Sequence, residues 1–235
     1  MATPRLFRLK SQLAPAPEGP VATELPYARI YVDTGVFHLD TPYDYEVPEK
    51  FSEIVKTGVR VQVPFGNREV EGLVIERVAA PSVISGLRSI TKVLSHHLVA
   101  TPKSLELIAQ TAQRWATNPW DVIRSAIPPR VAAVDKAFAP TALKSARSSN
   151  QSDVCFRAFE PHISAHAQVA SIALDSIRKG SVLIVAPDER DIIAICAHLQ
   201  TSSAPVVRID SGLSRNERYA NFLQSMQEQH QIIIG

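Results

Sequence analysis

Asp40–Pro48 reads D-T-P-Y-D-Y-E-V-P, and shortly downstream Gly58–Gly66 reads G-V-R-V-Q-V-P-F-G. Within them Tyr43–Val47 (YDYEV) and Val59–Phe65 (VRVQVPF) are rich in β-branched and aromatic residues and bounded by Pro or Gly, the pattern of short strands. Working outward, Tyr27–Asp33 (YARIYVD) and Val70–Val78 (VEGLVIERV) repeat it, and Leu87–Leu94 predicts one more short strand. The punctuating residues Gly35, Pro42, Pro48, Gly58 and Gly66 predict a compact β-rich unit and exclude one long helix.

Thr101-Pro102 then predicts a helix start, Thr at the N-cap and Pro at the first turn, with Leu105, Ile108, Ala109, Ala112 and Trp115 as its apolar stripe. A shorter helix is expected over Trp120–Ala126, closed by Pro128-Pro129. Beyond a small, polar, Pro-containing stretch the period changes. Helices are expected over Ser164–Arg178, Arg190–Leu199 and Arg215–Gln227, alternating with strands over Val182–Ala186, Val206–Ile209 and Ile232–Ile234. That alternation predicts βαβ units and a parallel sheet. The expected class is therefore α+β followed by α/β. The expected domains are a flexible N-terminus over 1–25 holding Pro4, Pro15, Pro17 and Pro20, a β-rich domain over 26–134, a linker over 135–152 and an α/β lobe over 153–235.

The composition limits the function classes. A formal charge of +2 with 20% charged residues gives no basis for a chain that coats nucleic acid by counterion release. Residues 26–130 carry 12 Lys+Arg against 11 Asp+Glu, so any DNA binding must be local. No stretch approaches the roughly 20 apolar residues of a spanning helix, and the expected location is cytoplasmic, away from membranes. The two cysteines, Cys155 and Cys196, have no CxxC or HxxxH partner, so reduced, buried thiols are expected and no metal site.

The Y-D-Y triplet, the V-P-F-G turn and the trailing T-P…W…W-x-V-I-x-x-A-I-P-P run together resemble the start of the PriA (primosomal protein N′) family, over residues 27–130. The resemblance implies a pocket for the 3′ end of a nascent strand at a stalled fork, a role in replication restart and primosome assembly, and restart proteins and single-stranded DNA-binding protein as partners. Carried over residue by residue, it implies DNA 3′-end contacts from Tyr43, Asp44, Tyr45, Gly66 and Arg88. The residue chemistry is compatible with this. A carboxylate at Asp44 can accept a hydrogen bond from a terminal 3′-hydroxyl, which an esterified mid-strand nucleotide lacks. Gly66 leaves room for backbone approach. In a regular strand Tyr43 and Tyr45 face away from Asp44, so only one side of the motif braces a base. Phe65 is expected in the core, and Asp33 and Asp40 in turns.

Downstream, S-V-L-I-V-A-P-D-E-R-D (Ser181–Asp191) and R-I-D-S-G-L-S-R-N-E-R-Y-A-N-F (Arg208–Phe222) are similar to the helicase part of that family, whose members use ATP, Mg and Zn. The place of the nucleotide loop reads C-F-R-A-F-E-P-H-I-S-A-H (Cys155–His166), without the glycines and lysine that cradle a triphosphate. A DEAH-type box is also missing up to Gly235. The expectation is a degenerate, truncated helicase lobe: no enzyme, no catalytic residues, no cofactor. Two other readings stand beside it: an ATP-dependent 3′-to-5′ DNA helicase whose motor lies in other sequence or another chain, and a structural adaptor in which Asp44 serves folding.

Overall fold

In the computed structural model, the described residues are 19–83, 86–140, 154–227 and 230–235. Residues 1–18 of the expected flexible N-terminus and 141–152 of the expected linker lie outside them. The chain divides into two compact units, residues 1–127 and 128–235.

The first unit is built on an antiparallel ribbon. Its strands are β1 (Tyr27–Val32), β2 (Tyr43–Glu46), β3 (Arg60–Phe65), β4 (Arg68–Val78) and β5 (Lys92–Val93), in sheet order β2-β1-β4-β3-β5. Alternation decides what goes inside: Ala28, Ile30 and Val32 from β1 and Val61 and Val63 from β3 join Val70 and Val74 of β4 in one buried core. A bulge alters the pairing of β1 with β4. Arg29 lies opposite Glu76 while the next residue, Ile30, lies opposite Val74, so Ile75 is the extra residue and Arg29 meets a carboxylate.

Strands β2 and β3, separated in the sheet by β1 and β4, are tied together by the segment that leads into β5. Glu46 N–H donates to the Arg88 carbonyl at 2.9 Å and Ile90 N–H returns to the Glu46 carbonyl at 3.0 Å. Thr91 N–H then bonds the Gln62 carbonyl at 3.1 Å, on β3. The stretch expected as one strand over Leu87–Leu94 is regular only at β5. The reason is that its first half serves β2, its second half β3, and the chain must bend to do both.

Two helices follow, α1 (Pro102–Trp115) and α2 (Pro119–Ala126). Thr101 caps α1, with Ser104 completing a reciprocal capping pair, and Pro102 stands in the first turn. Leu105, Ile108 and Ala112 are buried as expected, but Trp115 is 76% exposed. The helix ends there because Ala116 turns left-handed, φ 47°.

Residues 21–25, expected within the flexible N-terminus, are held against the first unit. Val21 bridges Pro48, and Ala22 is buried with its N–H on the Val47 carbonyl. Arg77 fixes this segment: its guanidinium donates to the carbonyls of Glu24, Leu25, Ser52 and Val55. Burial lowers the Arg77 pKa, with Glu49 acting against that shift.

The second unit opens with α3 (Ala132–Ala137), within which the expected linker was to begin. Its Asp135 is buried, bonded by Arg130 at 3.0 Å and by the Tyr219 hydroxyl at 2.7 Å, so tertiary contacts hold a sequence too short to announce a helix. Next come α4 (Ala165–Ser176), β6 (Val182–Ile184), α5 (Glu189–Leu199), β7 (Val206–Arg208), α6 (Arg215–Ser225) and β8 (Ile232–Ile234). β8 lies between β6 and β7, parallel to both, as the βαβ pattern requires. Ala170 and Ala173 of α4 and Ile192, Ile195 and Leu199 of α5 pack on Ile184, Ile232 and Ile234. Of the two thiols expected to be buried, Cys155 is exposed, in irregular chain ahead of α4, and Cys196 is half-buried on α5, where burial raises its pKa.

Replacing Arg77 by Met leaves the Ser52 and Val55 carbonyls without their donor. A loss of about 2 kcal/mol is expected for the first unit, read from the shift in its urea midpoint.

Candidate functional site

One end of the antiparallel ribbon gathers most of the motif residues. The β3–β4 connection is a two-residue turn, Gly66-Asn67, with positive φ at Gly66 (60°) and not at Asn67. That is the pattern of a type II′ hairpin turn, in which the first central residue is best served by glycine. A Cβ built at Gly66 would meet nothing within 4 Å, so the space above this turn is open.

Arg88 reaches that turn. Its Nη1 donates to the Gly66 carbonyl at 2.7 Å, and the side chain is otherwise at the surface. On the other side of the turn Arg68 donates to the Thr34 carbonyl. Among the described residues neither Arg68 nor Arg88 has an ion-pair partner, whereas Arg29, Arg60 and Arg124 each do.

The tyrosines lie on the inward face of β2. Tyr43 packs edge-on against Phe65, ring centroids 5.1 Å apart and planes at 72°. Phe65 is partly buried against the core, as expected. Tyr45 is buried, and its hydroxyl crosses to β3, donating to the Pro64 carbonyl at 3.1 Å. Burial pushes the Tyr45 pKa well up. The positive charge of Arg88 partly offsets the shift.

Asp44 stands apart from that group. The pleat turns it to the outer face, opposite Arg29 in the register. Arg29 Nε lies 3.4 Å from Oδ1, the Ser82 N–H donates to Oδ2, and the side chain is only 6% exposed. Arg29 also holds Glu76 at 2.6 Å. The structure thus brings together Tyr43, Tyr45, Gly66 and Arg88, and gives Asp44 a separate setting of its own.

Three contributors were not singled out from the sequence: Arg68, Arg29 and Asn118. Arg68 had a signal, since it follows the V-P-F-G turn directly. Arg29 had a weaker one, as the polar position of β1 that alternation turns outward. Asn118 precedes a helix-opening Pro and caps α2, its Oδ1 accepting from Trp120 N–H at 2.9 Å. No group of three or more His, Cys, Asp or Glu among the described residues could hold a metal ion. Among the same residues no helix is long and apolar enough to cross a membrane.

Residues 29–128 match the family model of the PriA 3′DNA-binding domain, which spans β1 through α2. The chain is 28% identical over 223 residues to the probable replication restart protein PriA of Mycobacterium tuberculosis, covering 84% of this chain and 34% of that protein. The Mycobacterium leprae counterpart is 27% identical over 229 residues, with 84% and 35% covered. The replication restart protein PriA of Bacillus subtilis is 36% identical over 81 residues, covering 31% of this chain and 10% of that protein. The chain spans about a third of the length of the mycobacterial relatives.

The Tyr45 hydroxyl carries a pH signature. Because its pKa is raised in the folded state, the stabilisation is complete below the ordinary phenol pKa of about 10 and is lost as pH climbs beyond it toward the folded value. Tyr45→Phe is expected to cost about 1 kcal/mol at neutral pH and to flatten the decline of stability above pH ~10, both measured by denaturant titration.

Proposed function

We propose, from the premise that residues 29–128 form a PriA 3′DNA-binding domain, that this chain is a DNA-binding component of replication restart that recognises the 3′ end of a nascent strand at a stalled fork. The observation that carries the reading is the pair Arg68 and Arg88, both without an ion-pair partner among the described residues and one on each side of the open Gly66 turn. In a domain of nearly balanced charge these two guanidiniums place cationic donors at one end of the ribbon, with the Glu69 carboxylate engaged by the Thr91 hydroxyl. Arg88 receives the last phosphate, Tyr43 braced by Phe65 supports the terminal base, and the space over Gly66 admits the sugar. Tyr45 holds the floor beneath them.

Asp44 has two readings. As an acceptor for the 3′-hydroxyl it must exchange the Ser82 N–H for that donor. Its 6% exposure and its two engaged oxygens favour the other reading, in which it fastens the Ser82 segment to the outer face of β2.

The test compares forks ending in a 3′-hydroxyl with forks ending in a 3′-phosphate. The wild-type chain is expected to prefer the hydroxyl by on the order of tenfold, about 1.4 kcal/mol. Equal affinities would remove the end-recognition reading. If Asp44→Ala keeps the preference while losing stability, Asp44 serves folding. Arg88→Ala is expected to weaken fork binding and to reduce the slope of log K against log salt by about one unit.

For the second unit we infer binding or scaffolding rather than catalysis. The stretch ahead of α4 lacks the glycines and lysine of a phosphate loop, and the Ser164 hydroxyl is engaged as the cap of α4, accepting from Ala167 N–H. No cofactor enters this reading. Its partners are branched DNA, other restart proteins and single-stranded DNA-binding protein, and its setting is the cytoplasm. The competing reading is an ATP-dependent helicase completed by further sequence or another chain. An ATP-analogue titration separates them: no heat of binding is expected, and fork-stimulated ATP hydrolysis by this chain would establish the helicase.

A further inference from the structure

Beside the Gly66 turn lies a second concavity, outside the group of motif residues. It has a volume of about 200 Å³ and is lined by Thr34, Gly35, Val36 and Phe37 of the β1–β2 loop and by Asn118, Trp120, Asp121 and Arg124 at the start of α2. Arg68 connects the two places, because the guanidinium that flanks the Gly66 turn is the one that bonds the Thr34 carbonyl.

The loop that carries Phe37 is fixed from below. Asn118, itself buried, directs its Nδ2 at the carbonyls of Val36, Phe37 and Leu39, at 3.4, 3.3 and 3.2 Å. The Thr34 hydroxyl accepts from Val36 N–H at 3.1 Å, and Arg124 on α2 pairs with Asp33 at 3.0 Å. A loop held at this many points nevertheless leaves its aromatic ring 66% exposed. A single exposed apolar residue needs no explanation, but a ring held out by a braced backbone beside a cavity with charged groups is a platform.

The chemistry of the lining selects the occupant. The volume is below the roughly 300 Å³ at which pockets for drug-sized ligands begin, so it suits one planar ring and not a helix or strand of a partner protein. Phe37 offers a ring for stacking and the half-exposed Asp121 carboxylate an acceptor for an exocyclic amine. Arg124 is held by Asp33 and Asp121, so positive charge comes from Arg68, which bonds the Thr34 carbonyl of the lining. An unpaired nucleobase on a phosphodiester chain satisfies all three. The geometry points to a second nucleotide subsite, in which a base just 5′ of the strand terminus stacks on Phe37 while its phosphate passes Arg68. This deepens the proposed end recognition and rests on it for the direction of the strand.

The experiment uses the full chain and a fork whose nascent strand ends in three unpaired nucleotides, with 2-aminopurine at the penultimate position. The wild-type chain is expected to quench the probe. Phe37→Ala is expected to relieve the quench and weaken binding roughly tenfold, while Phe37→Tyr restores both because a ring is restored. The preference for a 3′-hydroxyl over a 3′-phosphate is expected to persist in Phe37→Ala, since Phe37 lies outside the terminal pocket. Unchanged quenching in Phe37→Ala overturns the subsite. Loss of the hydroxyl preference in the wild-type chain overturns the end-recognition reading instead, and the two failures are read from different signals. Because Phe37 is largely exposed, its replacement is expected to leave the thermal midpoint in place, and a lowered midpoint with lost quenching in both Phe37→Ala and Phe37→Tyr counts against stacking.

Discussion

The pairing of Glu46 with the backbone of Arg88 and Ile90 is the interaction on which the first unit depends. Without it β2 is a four-residue edge strand with unpaired donors and acceptors along one side. With it the ribbon is tied end to end, since the same segment goes on to bond Gln62 of β3. The Tyr45 hydroxyl spans the same gap from the inside by bonding the Pro64 carbonyl. Closure is also what brings Arg88 to Gly66, residues 22 positions apart in the chain and 2.7 Å apart at their contact. The candidate site is thus a product of the closure and belongs to no single strand.

Charge in this unit follows the same economy of placement. Most arginines are engaged within the fold: Arg77 bonds four carbonyls, Arg60 pairs with Glu71, Arg29 with Asp44 and Glu76, and Arg124 with Asp33. A domain that tracked a phosphate backbone would present its cations in a stripe and bind with steep salt dependence. Here, among the described residues, Arg68 and Arg88 stand at the turn without ion-pair partners, and they flank one open glycine. That arrangement suits recognition of a terminus, where position matters more than total charge. The second unit is organised differently, by burial of aliphatic side chains from α4 and α5 on a three-stranded parallel sheet.

The sequence by itself determined the elements and the class. Alternating β-branched residues gave β1 to β4 to within a residue or two, the Thr101-Pro102 start gave α1, and the change of period gave the parallel half, because each is a local property of period and capping. It also determined that Tyr43 and Tyr45 share a face that Asp44 does not, since the strand period is two. What it could not determine was which face is the core and what each side chain meets there. Arg29 and Ser82 lie 15 and 38 positions from Asp44, and only the folded chain brings them to it, leaving a carboxylate apt for a ligand bonded within the protein. The helix at Ala132–Ala137 was hidden for the same reason. Its six residues have no stripe of their own, and the bond from Tyr219 to Asp135 holds them from 84 positions away. Local pattern fixes periodicity and direction, whereas partners distant in sequence fix burial and charge, and those come only with the tertiary structure.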